Sequence, residues 1–228
     1  MTSRTRRIAH ENGLMIFFGV IFLLALIAQG LTGHADYNNQ QVVDGLQQIS
    51  LVRYLTSADF AVDVAENWQS EYLQFLLYIT ATVWLVQKGS PESKPLDNAG
   101  RESDEDQKVG EYATPESPPW ARRRGWRLTV YSRSLSLVMG GIFLASWLAQ
   151  SIAGQSAYDE RRIAQLEAPV SWLSYISSAD FWNRTFQNWQ SEFLAVASMV
   201  GLSIYLRERG SPESKPVGTP HDATGVEG

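Results

Sequence analysis

Two glutamates, Glu71 and Glu192, close two identical pentapeptides, Asn67-Trp-Gln-Ser-Glu71 and Asn188-Trp-Gln-Ser-Glu192, and each pentapeptide runs straight into an apolar stretch. A carboxylate at the lip of an apolar segment suits two kinds of chemistry. With its pKa raised by burial it binds and releases a proton or cation; held by donors, it locks one helix against another and fixes its rotation. Both readings stand on the same residues, because duplication copies a structural glutamate as faithfully as a working one. The polar side chains able to join the two carboxylates are Gln29, Asn67 and Trp68 in the first half and Gln150, Asn188 and Trp189 in the second. At 1.5 Å of rise per residue, Gln29 and Glu71 both lie roughly 22–24 Å above the inner boundary of a bilayer. That depth is in the outer leaflet of a hydrocarbon slab about 30 Å thick, where a lone charge turns toward protein. Glu71 is therefore expected to accept a hydrogen bond from Gln29 or Trp68, and Glu192 from Gln150 or Trp189.

Other chemistry is thinly supplied. Without cysteine there is no disulfide framework, thiolate ligand or thiol nucleophile. The three histidines, His10, His34 and His221, are scattered and unrepeated, so no metal, haem or other cofactor is expected. No phosphate loop, dinucleotide fingerprint or nucleophile elbow is present. A net charge of −5 argues against nucleic acid as a partner. No catalytic residue is singled out, and the chain is read as a non-enzyme.

The elements that must position these residues are four apolar patches in 228 residues. Residues 14–31 and 135–152 are long enough to cross a bilayer as helices. Residues 72–86 and 193–206 reach spanning length when their leaders from Trp68 and Trp189 are included; the alternative is that these two lie flat at the interface. The basic start and first patch also suit a secretory signal, but the patch is long for one and its counterpart lies mid-chain. Arg4, Arg6, Arg7, Lys88, Lys94, Arg122, Arg123, Arg124, Arg127, Arg133, Arg207, Arg209 and Lys215 fall in the termini and the central linker, against Arg53, Arg161, Arg162 and Arg184 in the intervening loops. By the positive-inside rule the termini and linker are cytoplasmic and the loops face outward. Trp120 and Trp126, beside the arginine cluster, fit an inner aromatic belt.

The two pentapeptides stand at 67 and 188, an offset of 121, and that offset aligns 14–95 with 135–216 without a gap. It matches Gly19 with Gly140, Gln29 with Gln150, Tyr54 with Tyr175, Ser57-Ala-Asp-Phe60 with Ser178-Ala-Asp-Phe181, and Gly89-Ser-Pro-Glu-Ser-Lys-Pro95 with Gly210-Ser-Pro-Glu-Ser-Lys-Pro216. Each unit crosses an even number of times, so the copies are parallel, related about the membrane normal. The organisation is a first two-span repeat over 1–95, a cytoplasmic acidic and basic linker over 96–130, a second repeat over 131–217, and a disordered tail over 218–228.

With its entry helix, outer S-A-D-F and N-W-Q-S-E segment, second helix and closing G-S-P-E-S-K, the unit resembles a family of uncharacterised bacterial integral membrane proteins. That family is known mainly from actinobacteria and is catalogued as a domain of unknown function, here in two tandem copies. The resemblance implies the architecture and a bacterial cytoplasmic membrane; it brings no activity, substrate or cofactor. Asn67, Trp68, Ser70, Glu71, Asn188, Trp189, Ser191 and Glu192 carry it.

The smaller motifs have structural readings. Ser57 and Ser178 suit helix N-caps, with Asp59 and Asp180 complementing the dipole. Phe60, Val64 and Trp68, and Phe181, Thr185, Trp189 and Phe193, recur every four residues, as in an outer amphipathic helix; those aromatics also suit packing a quinone or lipid tail. Gly141, Ala145, Ala149 and Ala153 form a small-residue ridge for close approach of another helix, internal or in a dimer. Gly89 and Gly210 suit left-handed C-caps ending the second and fourth spans, before Pro91 and Pro212; the repeated heptapeptide also suits a docking peptide. The expectation is an all-α polytopic membrane protein of four transmembrane helices, arranged as two parallel two-helix repeats with outer amphipathic helices. It would act as a non-catalytic accessory or scaffold that binds lipid, other membrane proteins or further copies of itself; the alternative is a small transporter or channel component using Glu71 and Glu192.

Overall fold

The computed structural model describes residues 3–226. The first two and last two residues, assigned above to the first repeat and the tail, lie outside the described residues, as does the side chain of Arg4. Among the described residues the regular structure is all helical, with no strand. The helices are α1 (Ser3–Glu11), α2 (Gly13–Val43), α3 (Leu51–Leu55), α4 (Ala58–Ala81), α5 (Trp126–Ser132), α6 (Ser134–Ala164), α7 (Trp172–Ile176) and α8 (Ala179–Leu202), with short 3-10 turns at Leu96–Asn98 and Gly110–Tyr112. Helices α2, α3 and α4 have 31, 5 and 24 residues, and so do α6, α7 and α8. Their starts at 13, 51 and 58 recur at 134, 172 and 179, the offset that aligns the pentapeptides.

Local sequence explains the helix ends. Ser57 Oγ accepts the Phe60 N–H at 3.3 Å and Ser178 Oγ accepts the Phe181 N–H at 3.3 Å, the capping bonds that the Ser-Ala-Asp-Phe motifs predict. Helices α2 and α6 are long and apolar enough to cross a membrane. Helices α4 and α8 stop at Ala81 and Leu202, before their apolar runs end, and tighten into turns in which Trp84 N–H bonds Ala81 O at 2.9 Å and Tyr205 N–H bonds Leu202 O at 3.0 Å. Gly89 and Gly210 have the left-handed φ expected, +85° and +86°. They stand eight residues beyond those helix ends, however, and shape the following turn instead of capping a span.

The chain divides into two compact units, Met1–Val64 with Ile152–Trp172, and Ala65–Ser151 with Leu173–Gly228. In the first, α3 folds back on α2 where glycine leaves room: a Cβ at Gly30 would lie 2.9 Å from Leu55 Cδ2, and one at Gly33 would collide with the Tyr54 hydroxyl. Tyr54 is buried among the rings of His34, Tyr37 and Phe60, at centroid separations of 5.9, 5.6 and 5.6 Å. The loop after α2 is clasped through its backbone. His34 Nε2 donates to Ile49 O at 2.7 Å, and the Asn38 amide pairs with both Ile49 O (3.0 Å) and Ile49 N–H (2.9 Å). The positions 121 residues later do the same job with other side chains: Gln155 donates to Val170 O and Asp159 accepts from Val170 N–H, each at 2.8 Å. The contact recurs with different residue types because its work is to partner the half-buried peptide groups of Ile49 and Val170.

The second unit packs residues 65–81 of α4, 134–151 of α6, and α8. Gly140 lets α6 approach Leu76 of α4, 3.5 Å from where its Cβ would stand. Trp147 stacks on Phe143 and Phe181 and meets the edge of Trp182. Below, each Gly-Ser-Pro-Glu-Ser-Lys turn ties itself shut: Ser93 Oγ accepts from Gln87 N–H at 2.8 Å and Ser214 Oγ from Glu208 N–H at 3.0 Å. Lys94 reaches Gly100 O and the Glu102 carboxylate, while Lys215, buried, donates to Gly89, Pro220, His221 and Ala223 carbonyls. Burial pushes the Lys215 ammonium below its usual range, so the carbonyl cage holds it against that cost. The tail residue Thr224 accepts from Gly89 N–H at 2.8 Å.

Gly33→Ala is expected to destabilise by about 1–3 kcal/mol, the usual overpacking cost. Gly19→Ala, in open space, is expected to be neutral or stabilising by up to about 1 kcal/mol through helix propensity. Thermal unfolding of both variants in one detergent checks the pair.

Candidate functional site

The polar cluster that the fold assembles sits among α4, α6 and α8. On α4 the buried face runs Val62, Ala65, Gln69, Leu73, the three- and four-residue spacing of one helix stripe. On α8 it runs Phe181 and Thr185, with Asn188, Trp189 and Glu192 half-buried. Trp189 Nε1 donates to Gln69 Oε1 at 2.9 Å, joining α8 to α4. Gln150 Nε2 of α6 donates to Thr185 Oγ1 at 3.3 Å, and that hydroxyl donates to Phe181 O at 2.9 Å. Arg184 of α8 pairs with Glu66 of α4 at 3.0 Å, with both side chains three-quarters or more buried. Asn188 Nδ2 buttresses the Arg184 carbonyl at 3.0 Å.

These contacts redistribute the expected site. The donors assigned to Glu192 are committed elsewhere, Gln150 to Thr185 and Trp189 to Gln69. Asn67, Trp68 and Glu71 lie on the exposed side of α4, and Gln29 is half-buried in the first unit. Glu71 and Glu192 do come within electrostatic reach of each other. On the ridge of α6, Gly141, Ala145 and Ala149 face outward and Ala153 is half-buried. Gly140, one position over, makes the internal helix contact; a Cβ at Gly141 would meet nothing within 4 Å.

Gln69 is the residue that sequence reasoning passed over, although its spacing from Val62, Ala65 and Leu73 marks it as inward. Its Nε2, with Gln150 Oε1 and Trp147 Nε1, is buried without a hydrogen-bond partner among the described residues. Each such group costs about 1–3 kcal/mol, so the aromatic packing around Trp147 carries a polar burden. Glu66 and Arg184 were likewise unmarked, because their pairing joins residues 118 apart.

Two features lie away from this cluster. A groove of about 270 Å³ separates α4 and α8, with Phe75, Val196 and Met199 in its walls and Gln74, Tyr78 and Glu92 as its polar part; the Tyr78 hydroxyl donates to Glu92. In the first unit, burial and then the carboxylates Asp63, Asp59 and Asp36 push the Tyr54 hydroxyl above its usual range, so it stays a neutral donor. Among the described residues no three His, Asp or Glu side chains converge as a metal requires.

Trp189→Phe removes the donor that satisfies Gln69 and is expected to cost about 1–3 kcal/mol. Gln69→Leu alone should cost less, because the indole reaches the half-buried edge, and the double variant should fall short of the sum. Thermal unfolding of the three variants measures that non-additivity; strict additivity would mean that the bond is not formed.

Comparison with curated proteins and with solved structures gives no match. The family model described as Domain of unknown function (DUF6766) matches residues 5–226 once, as a single domain that takes in both pentapeptides, both heptapeptide turns and the linker. Covering the helices and their connections in one piece, that match makes the chain a member of the DUF6766 family.

Proposed function

We propose that this protein is a non-catalytic accessory or scaffold of a bacterial cytoplasmic membrane, binding other membrane proteins or lipid through the bare surface of its first long helix. The observation that carries the reading is the exposure of α2. From Leu14 to Leu24 its large apolar side chains are 43–75% exposed, and five consecutive ones, Leu14 to Phe18, already point in every direction around the axis. A soluble helix hides one apolar stripe; a helix apolar and bare on all sides belongs in lipid or among other helices.

The finer architecture belongs to the same proposal. The recurrence of helix lengths and starts at one offset supports a duplicated unit inside a single family domain, with both copies entering from the cytoplasmic side. In this arrangement α4 and α8 complete two parallel hairpins, giving four spans, and the arginine-rich linker and both termini lie inside. A second reading, a small transporter or channel component, is favoured by one observation, that Glu71 lies close enough to Glu192 to act on its carboxylate.

The absence of cysteine makes topology directly measurable. Gln47→Cys is expected to react with a membrane-impermeant maleimide in intact cells, and Asn98→Cys only after lysis; the reverse pattern contradicts the orientation. In proteoliposomes the scaffold reading expects no proton or cation flux above that of empty vesicles. Flux abolished by Glu71→Gln with Glu192→Gln, in a folded protein, would replace it with the second reading.

A further inference from the structure

We infer that the groove between α4 and α8 is a lipid site, taking part of one acyl chain of an amine-bearing phospholipid with the headgroup ammonium against Glu92. The inference rests on the membrane reading above and names the ligand class.

The groove is smaller than the usual 300–1,000 Å³ of an enclosed small-molecule site, which suits a segment of chain better than a compact ligand. Its walls are soft and apolar: Phe75 comes from α4, and Val196 and Met199 from α8. Methionine adapts to irregular apolar guests. The positions of α8 that match Gln74 and Tyr78 at the offset of 121 are Ala195 and Met199. The α4 side therefore adds two polar groups that the matching positions of α8 lack, and one of them, Tyr78, stands beside Glu92 at the polar end.

The polar end lies near the C-terminus of α4, where Glu92 folds back from the following turn to meet Tyr78. The hydroxyl proton occupies part of the carboxylate, leaving further lone pairs. Among the described residues no cation pairs with Glu92. Lys94 is held by Gly100 O and Glu102, and Lys215 by four carbonyls. Glu213 also acts electrostatically on Tyr78, adding to the negative field there. A carboxylate without a counter-ion at the mouth of an apolar groove is complemented by a cation that carries N–H donors. Phosphatidylethanolamine supplies that headgroup. Phosphatidylcholine has a cation without N–H, and phosphatidylglycerol has no cation.

The test uses the full chain, extracted in mild detergent from the membrane fraction and equilibrated with these three lipids, matched in acyl chains, before native mass spectrometry. Phosphatidylethanolamine is expected to be retained over the other two by about tenfold. Glu92→Gln should abolish the preference while chain binding persists, and Val196→Trp or Met199→Trp, filling the groove, should remove adducts of all three. Equal retention of the three lipids by the unaltered chain, or a preference that survives Glu92→Gln, overturns the inference. So does a dimer that dissociates on Val196→Trp, since a second copy would then occupy the groove. A chain that fractionates with membranes yet shows no preference overturns this inference alone; recovery in the soluble fraction overturns the membrane reading with it.

Discussion

One constraint weighs on the rest of the structure: the apolar surface of α2 is costly to leave in water. Burying a Leu, Ile or Phe side chain is worth about 1.5–3 kcal/mol, and between Leu14 and Leu24 ten large apolar side chains stand 43–75% exposed. Even at half value that is on the order of 10 kcal/mol, comparable to the whole stability of a domain. A hydrocarbon surrounding would remove that cost without any protein contact. Membership of the DUF6766 family leaves the surroundings open; the exposed side chains supply the physical argument.

Beneath that constraint, the two halves share lengths and motifs but divide the work. The same five letters, Asn-Trp-Gln-Ser-Glu, present Gln69 and Ser70 to the core in one half and Asn188 and Trp189 in the other. One residue step on a helix is 100° of rotation, so a small difference in how each helix sits exchanges which amide and which indole are buried. The product is a heterologous contact, Trp189 to Gln69, that an equivalent pair of copies would not make. The Gly-Ser-Pro-Glu-Ser-Lys turns are the opposite case. Their serines do the same local work twice, each accepting a backbone N–H six residues earlier, while Lys94 pairs with Glu102 and Lys215 reaches across to the first turn at Gly89.

What was legible in the sequence was whatever depends on local chemistry. The helical class, the two long apolar helices, the serine caps at 57 and 178 and the left-handed glycines at 89 and 210 all follow from residue type and spacing. The ends of α4 and α8 did not, because Thr82, Val83 and Trp84 continue the apolar run while the backbone turns to carry the chain toward its serine-tied exit. The polar cluster was half legible. Glu71 and Glu192 stand out by closing the repeated pentapeptide and by their depth, which the rise per residue gives. Gln69 is marked inward by its spacing, but its bond to Trp189 and the pairing of Glu66 with Arg184 join residues about 120 apart. The clasp on Ile49 and Val170 was invisible for a different reason: His34 and Asn38 share no residue type with Gln155 and Asp159, and only the geometry is repeated.

The membrane reading places residues 14–25 of α2, ahead of the part that α3 covers, in hydrocarbon on every side. A nitroxide scan of single cysteines from 14 to 25 in reconstituted bilayers, reading accessibility to molecular oxygen against a water-soluble nickel chelate, measures this residue by residue. The account predicts high oxygen and low nickel accessibility at every position, with no oscillation of 3.6-residue period. Nickel accessibility matching that of a water-exposed helix over the same positions would contradict it.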